Sequence, residues 1–441
     1  MRAHLSNAAY GVLDYAAHPL GMLLAAPMLL KHLGVAQYGV WVVATAVVST
    51  GGIIASGFGD ANIQYVASVR SRGDEQALFR AVRSMMGINL LLGFTLATIS
   101  WMLAPFVARH VVAEDIVLRA ACLWSLRIAS LLMLVRAVES VCISTQRAFE
   151  RYGVAVRISI LVRLLTLAGA VILTYLGLGV ISIMVATGAL TSLGTVAQLI
   201  RLRIHLGAVS LLPAFDRSTT LALWSFGAFS WMQAVSGVIF GQADRLVLGV
   251  SLGATVVTAY ALCVQMAQPI YGVAASGLHF LFPYLAGRQA RMPVATLKGA
   301  ILKVFLVNLL MVAAGTVAVL VFGRPLLHAW VGEAVARSAG TILTPIAWSF
   351  ALLGLNVTGY YTLLALGRVR VVTWLNIAGG GAMLVLMAVL FSRMGIRGVA
   401  MARLVYGMTT LLMYIPLLRL YFEAAETSLL VPGIDPVCED A

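Results

Sequence analysis

About twelve long apolar stretches run end to end along the chain, and that pattern leaves room for little besides a bundle of membrane-spanning helices. A spanning helix needs about 20 mostly apolar residues. Such stretches lie near 7–30, 38–57, 84–108, 116–142, 158–177, 180–200, 221–241, 254–277, 299–322, 340–366, 371–391 and 398–418. Charged residues are 10% of the chain and hydrophobic ones 61%, whereas soluble domains carry about 25% charged residues. The expected fold class is an all-α polytopic membrane protein. No connecting segment is long enough to hold an aqueous domain, and no Gly-Lys-Ser/Thr phosphate loop occurs, so ATP hydrolysis within this polypeptide is excluded.

The net charge of +14 does not point to nucleic acid as a partner, because the arginines fall mostly in alternate loops. Cytoplasmic loops carry such an excess. With the N-terminus in the cytoplasm, fifteen loop Lys and Arg residues, among them Arg70, Arg83, Arg147, Arg201 and Arg288, fall inside, and seven fall outside. The expectation is a multi-pass membrane protein with both termini cytoplasmic. The apolar run after Arg2 is longer than the roughly 7–15 residues of a signal-peptide core and is read as a span. Cys122, Cys142, Cys263 and Cys438 lack metal or redox spacing, and neither a metal nor a cofactor is expected.

The second half repeats the first. Leu33-Gly34 corresponds to Leu252-Gly253, Ala55-Ser56-Gly57 to Ala275-Ser276-Gly277, Asn89 to Asn308, Pro105 to Pro325, Arg147 to Arg368 and Gly177 to Gly395, all at offsets of 218–221. Six spans per half return the chain to its starting side, so the halves share one orientation about an axis along the membrane normal. The expected organisation is a six-helix lobe over 1–209, a cytoplasmic linker over 210–218 containing Pro213, a second six-helix lobe over 219–420 and a cytoplasmic tail over 421–441. Bundles of this kind hold cargo between the halves and rock around it.

Leu33-Gly34-Val35-Ala36-Gln37-Tyr38-Gly39-Val40-Trp41 followed by Gly57-Phe58-Gly59-Asp60 resembles the first two helices of the polysaccharide flippases of the multidrug/oligosaccharidyl-lipid/polysaccharide exporter superfamily. Gln242-Ala243-Asp244-Arg245, Leu252-Gly253, Tyr260 and Phe282-Pro283 are similar to that family's seventh and eighth helices, and Gly395-Ile396-Arg397-Gly398-Val399-Ala400 to its last. The resemblance implies twelve helices around a V-shaped central cavity. It also implies alternating access, and a lipid-linked oligosaccharide on undecaprenyl pyrophosphate as cargo. The lipid II branch of the superfamily is longer and has interior arginines in its first helices. Here the first span has Asp14 inside and Lys31 only near its outer end, which argues against lipid II.

Charges inside spans are expensive and therefore informative. Arg127 lies near the middle of the fourth span, with Arg136 and Glu139 farther along. Arg136 and Glu139 are three residues apart and share a helix face, whereas Arg127 and Arg136, nine apart, lie on opposite faces. Arg127, Arg136, Asp244, Arg245 and Arg403 are the candidate substrate-binding residues, the arginines neutralising pyrophosphate. Pairing with Glu139 is the preferred reading of Arg136. Asp14, Asp60 and Glu139 are candidates for ion coupling or gating: Asp14 precedes a kink at His18-Pro19, and Asp60 sits beside Gly57 and Gly59 at a helix boundary. No catalytic residue is expected. Gly249-Val250-Ser251-Leu252-Gly253 has the letters of a nucleophile elbow but joins two apolar spans instead of a strand and a helix.

The expectation is a flippase for a lipid-linked repeat unit of O-antigen, capsule or exopolysaccharide. Its partners would be membrane lipids, a coupling H+ or Na+ and a polysaccharide polymerase complex. The alternatives are a cation-coupled multidrug and toxin extrusion-type antiporter, and a membrane polysaccharide polymerase or ligase.

Overall fold

The computed structural model describes residues 2–71, 73–149, 152–207, 210–278, 281, 294–366 and 368–418. All regular structure among them is helical: α1 (Arg2–Ser56), α2 (Gly59–Ser71), α3 (Glu75–Val111), α4 (Ile116–Ala148), α5 (Tyr152–Tyr175), α6 (Val180–His205), α7 (Arg217–Leu252), α8 (Ala254–Gly277), α9 (Val294–Ala365), α10 (Val369–Met394) and α11 (Ile396–Leu411). Nine stretches among the described residues are long and apolar enough to cross a membrane. The chain is an all-α, multi-pass membrane protein. α4 and α7 are not among the nine; α4 carries Arg119, Arg127, Arg136, Glu139 and Arg147 along its length.

Two of the helices are broken by a glycine. α1 turns at Gly34 (φ 77, ψ 165) and α9 at Gly332 (φ 74, ψ 171). Gly253, the repeat counterpart of Gly34, joins α7 to α8 with almost the same angles (φ 82, ψ 174). This region of backbone space is open to glycine and strained for residues with a Cβ. The Leu-Gly landmark is therefore repeated because the same reversal of chain direction is needed in both halves. Helix starts are written locally. Asp74, Asp115 and Asp216 cap α3, α4 and α7 by accepting from the backbone N–H of Ala77, Leu118 and Thr219, as short acceptor side chains at N-cap positions do.

Burial separates inner from outer helices. The most apolar windows of 254–277 and 339–365 are 67% and 56% buried, whereas those of α3 and of 297–330 are 17% buried. α8 and the second arm of α9 form the interior of the second half, and α3 and the first arm of α9 face outward.

The halves meet chiefly through α1, which packs on both α7 and α8, with α2 and α3 also packing on α7. A Cβ on Gly39 would lie 2.0 Å from the Ala254 carbonyl oxygen, so the backbones touch there. Small residues permit that approach in membrane bundles. Near this contact Thr258 donates to the Val35 carbonyl (2.8 Å) and Gln265 donates to the Tyr38 hydroxyl (3.0 Å). Toward the other end of α1, Trp231 donates to the Ile54 carbonyl (3.1 Å) and stacks near Phe58. That accounts for Trp231 as packing. Residues 210–216, between α6 and α7, are not helical and lie along α3. Arg83 Nε donates to the Leu212 carbonyl and the Ala214 N–H to the Arg83 carbonyl.

Candidate functional site

A cavity of about 500 Å³ opens between α1 and the second half. It lies within the roughly 300–1,000 Å³ of small-ligand clefts. α1 contributes Met22 from its first arm and Trp41, Val42, Thr45 and Ser49 from its second; α7, α8, α9, α10 and α11 supply the rest. Because α1 belongs to the first half and the other wall helices to the second, movement between the halves would change the cavity.

Arg245 on α7 and Arg403 on α11 are the charged residues on this wall among the described residues. Asp244 lies directly behind it, fully buried. Its Oδ2 accepts from Arg403 Nη1 and from the Tyr260 hydroxyl (2.5 Å), and its Oδ1 accepts from the Arg245 backbone N–H (2.8 Å). The Arg403 guanidinium also sits 4.6 Å from the centre of the Phe350 ring. Arg245 reaches back one turn to Gln242 Oε1 (3.5 Å). The Nε atoms of both arginines are buried without a hydrogen-bond partner among the described residues. The Arg403 guanidinium thus pairs with the Asp244 carboxylate, the Arg245 guanidinium bonds Gln242, and each arginine keeps a donor unused. Unsatisfied donors at this depth are costly; both arginines belong to the cavity lining.

The remaining polar wall is neutral. Gln242, Gln265, Gln268, Asn356 and Asn376 present amides, and tyrosines such as Tyr271 and Tyr406 present rings and hydroxyls. Charges alone do not find these residues. The signal that does is the amide side chains inside otherwise apolar spans, which are as anomalous there as charges are.

The other candidates lie elsewhere. Arg127 is absent from the cavity wall and packs against two tryptophans, its guanidinium 5.0 Å from the Trp101 ring centre and 5.2 Å from that of Trp124. Its expected place among the substrate-binding residues is not reflected in the lining of this cavity. Helix rotation turns that face outward. Arg136 is also off the wall and pairs with Glu139 (2.6 Å). The side chains of Asp14 and Asp60 fall outside the described residues; their backbones belong to α1 and α2.

The fold is that of known transporters. A multidrug resistance MATE family transporter of the MOP superfamily, in its inward-facing conformation, superposes with a TM-score of 0.71 at 14% identity, covering 94% of this chain and 99% of that one. The lipid II flippase MurJ, in an inward closed conformation, gives 0.73 at 13% identity, covering 94% and 86%. A probable multidrug resistance protein NorM of Rhizobium meliloti (strain 1021) is 35% identical over 80 residues, which is 18% of this chain and 17% of that protein. Residues 29–333 match the family described as polysaccharide biosynthesis protein, and the chain belongs to that family.

Proposed function

We propose that the chain is a flippase that carries a lipid-linked oligosaccharide across the inner membrane, from the cytoplasmic to the outer leaflet, by alternating access. One observation carries this reading: Arg245 and Arg403 face a single cavity, backed by one carboxylate, and no carboxylate lines that cavity among the described residues. The site therefore favours an anion, as the pyrophosphate of a polyprenyl-linked sugar would be. Amides and tyrosines around it suit hydroxyl-rich sugars, which need many weak donors and acceptors and offer apolar faces to rings. The family's role in polysaccharide synthesis and the likeness to a lipid II flippase agree with this reading.

In this reading the prenyl tail stays in lipid while the phosphorylated sugar occupies the cavity. Arg245 and Arg403 replace the water that the phosphates give up. The protein catalyses no bond change. Release is driven by a coupling H+ or Na+, or by polymerisation removing the product on the outer side, where a polymerase complex would stand. N- and C-termini are cytoplasmic.

A second reading, an antiporter of organic cations, is favoured by the likeness to the MATE transporter and to NorM. The cavity's charge opposes it. Deleting the gene and comparing surface glycan with drug sensitivity separates the two. The flippase reading expects loss of surface polysaccharide with unchanged tolerance of cationic dyes; the reverse pattern rejects it.

A further inference from the structure

Arg127 is unusual among the intramembrane charges because it faces neither the cavity nor a carboxylate. On α4, Val117, Trp124 and Leu131 are exposed at seven-residue spacing. Arg127 lies three residues after Trp124 and four before Leu131, hence on the same outward face. On the neighbouring α3, Phe94 and Trp101 are exposed as well, and that helix is one of the outward-facing spans. Beneath this surface Ser130 donates to Ser100 (2.9 Å), tying the two helices together. The Arg127 guanidinium lies against both indoles, its Nε is buried without a partner, and no side chain among the described residues pairs with it. Aromatic faces offset part of the cost of holding a cation out of water, but they supply no hydrogen-bond acceptor.

The depth of the residue says what does. Arg127 begins about 16 Å along the axis from the start of α4, a helix about 50 Å long at 1.5 Å per residue. With a hydrocarbon core of about 30 Å, a centred α4 projects about 10 Å at each end, leaving the Arg127 backbone only several Å inside. Side chains lean toward the N-terminus of their helix, which for α4 is the turn at 112–115. The guanidinium is thus carried back over Trp124 toward the headgroups, where long basic side chains and tryptophans both collect. We infer that Arg127, Trp101 and Trp124 form a binding site on the lipid-facing side of the first half for the phosphate of a membrane phospholipid. The indoles flank the guanidinium, and the phosphate oxygens accept from its free N–H groups. With the N-terminus in the cytoplasm, this phosphate belongs to the outer leaflet. The site does not depend on which cargo the cavity takes.

Native mass spectrometry of the delipidated full chain, titrated with dioleoylphosphatidylglycerol, dioleoylglycerol or undecaprenyl phosphate, tests this. One phosphatidylglycerol-binding event weakens about fivefold in Arg127→Gln, the contribution of one basic residue at a membrane surface. Arg127→Lys retains it and Trp124→Leu weakens it. Dioleoylglycerol, with the same tails and no phosphate, shows no dependence on Arg127. The inference is overturned if phosphatidylglycerol binding is unchanged in Arg127→Gln, if dioleoylglycerol shows the same dependence, or if undecaprenyl phosphate displaces phosphatidylglycerol at that event, which would assign the site to the carrier lipid. Should Arg127→Gln not fold, unchanged binding in Trp124→Leu overturns it equally.

Discussion

The two halves place the same kind of residue, an arginine at membrane depth, in opposite settings. In the second half Arg245 and Arg403, from α7 and α11, line one cavity, and Arg403 pairs with Asp244 across the two helices. In the first half Arg136 is neutralised one turn away on its own helix, and Arg127, half-buried and off the cavity, packs against two tryptophans. The cavity wall is loaded asymmetrically: its charged and amide side chains come from the second half of the chain, and the first contributes α1 as the facing wall. Depth in the membrane is therefore a poor guide to function by itself. The helix face, and whether the compensating charge comes from another helix, decide the role.

That contrast can be broken by mutation. The largest effect is expected for Asp244→Ala, which leaves Arg403 buried and unpaired; removing one partner of such a pair costs about 3–5 kcal/mol, read as a fall in unfolding stability of the purified chain. Tyr260→Phe deletes a 2.5 Å hydrogen bond to the same carboxylate, and bonds to charged groups contribute about 1.5–3 kcal/mol. Glu139→Gln breaks a pair within one helix whose Arg136 side chain is 30% exposed and Glu139 side chain 7% exposed, so with solvent screening on one side the loss should be smaller, about 1 kcal/mol. Arg127→Gln should leave transport unchanged, since no cavity contact is lost. Equal losses for Asp244→Ala and Glu139→Gln would erase the distinction between the halves.

The fold was largely legible in the sequence, the site only in part. Gly34 and Gly253 match as letters at an offset of 219, and they share one backbone conformation because both reverse the chain. The expected spans near 7–30 and 38–57 correspond to the two arms of α1, which meet at the non-helical Gly34 with no loop between them. Asp244 and Arg245 stand out as intramembrane charges. Their link to Arg403, 159 residues away, depends on how α7 and α11 pack, which hydropathy along a single span does not encode. Arg127 lies off this cavity because position along a span leaves the rotation of the helix open. Gln265, Gln268 and Asn376 were missed because attention to full charges passes over amides, although an amide in an apolar span also needs a partner or a cavity.

The central claim is that an anionic, sugar-bearing lipid crosses through the cavity held by Arg245 and Arg403. The most direct measurement is the rate at which a fluorescent lipid-linked oligosaccharide changes leaflet in proteoliposomes of the purified chain, compared with Arg245→Gln at matched incorporation and unfolding stability. The account predicts rapid exchange for the unaltered chain and a rate near that of protein-free vesicles for the variant. Exchange by Arg245→Gln at the unaltered rate would contradict it.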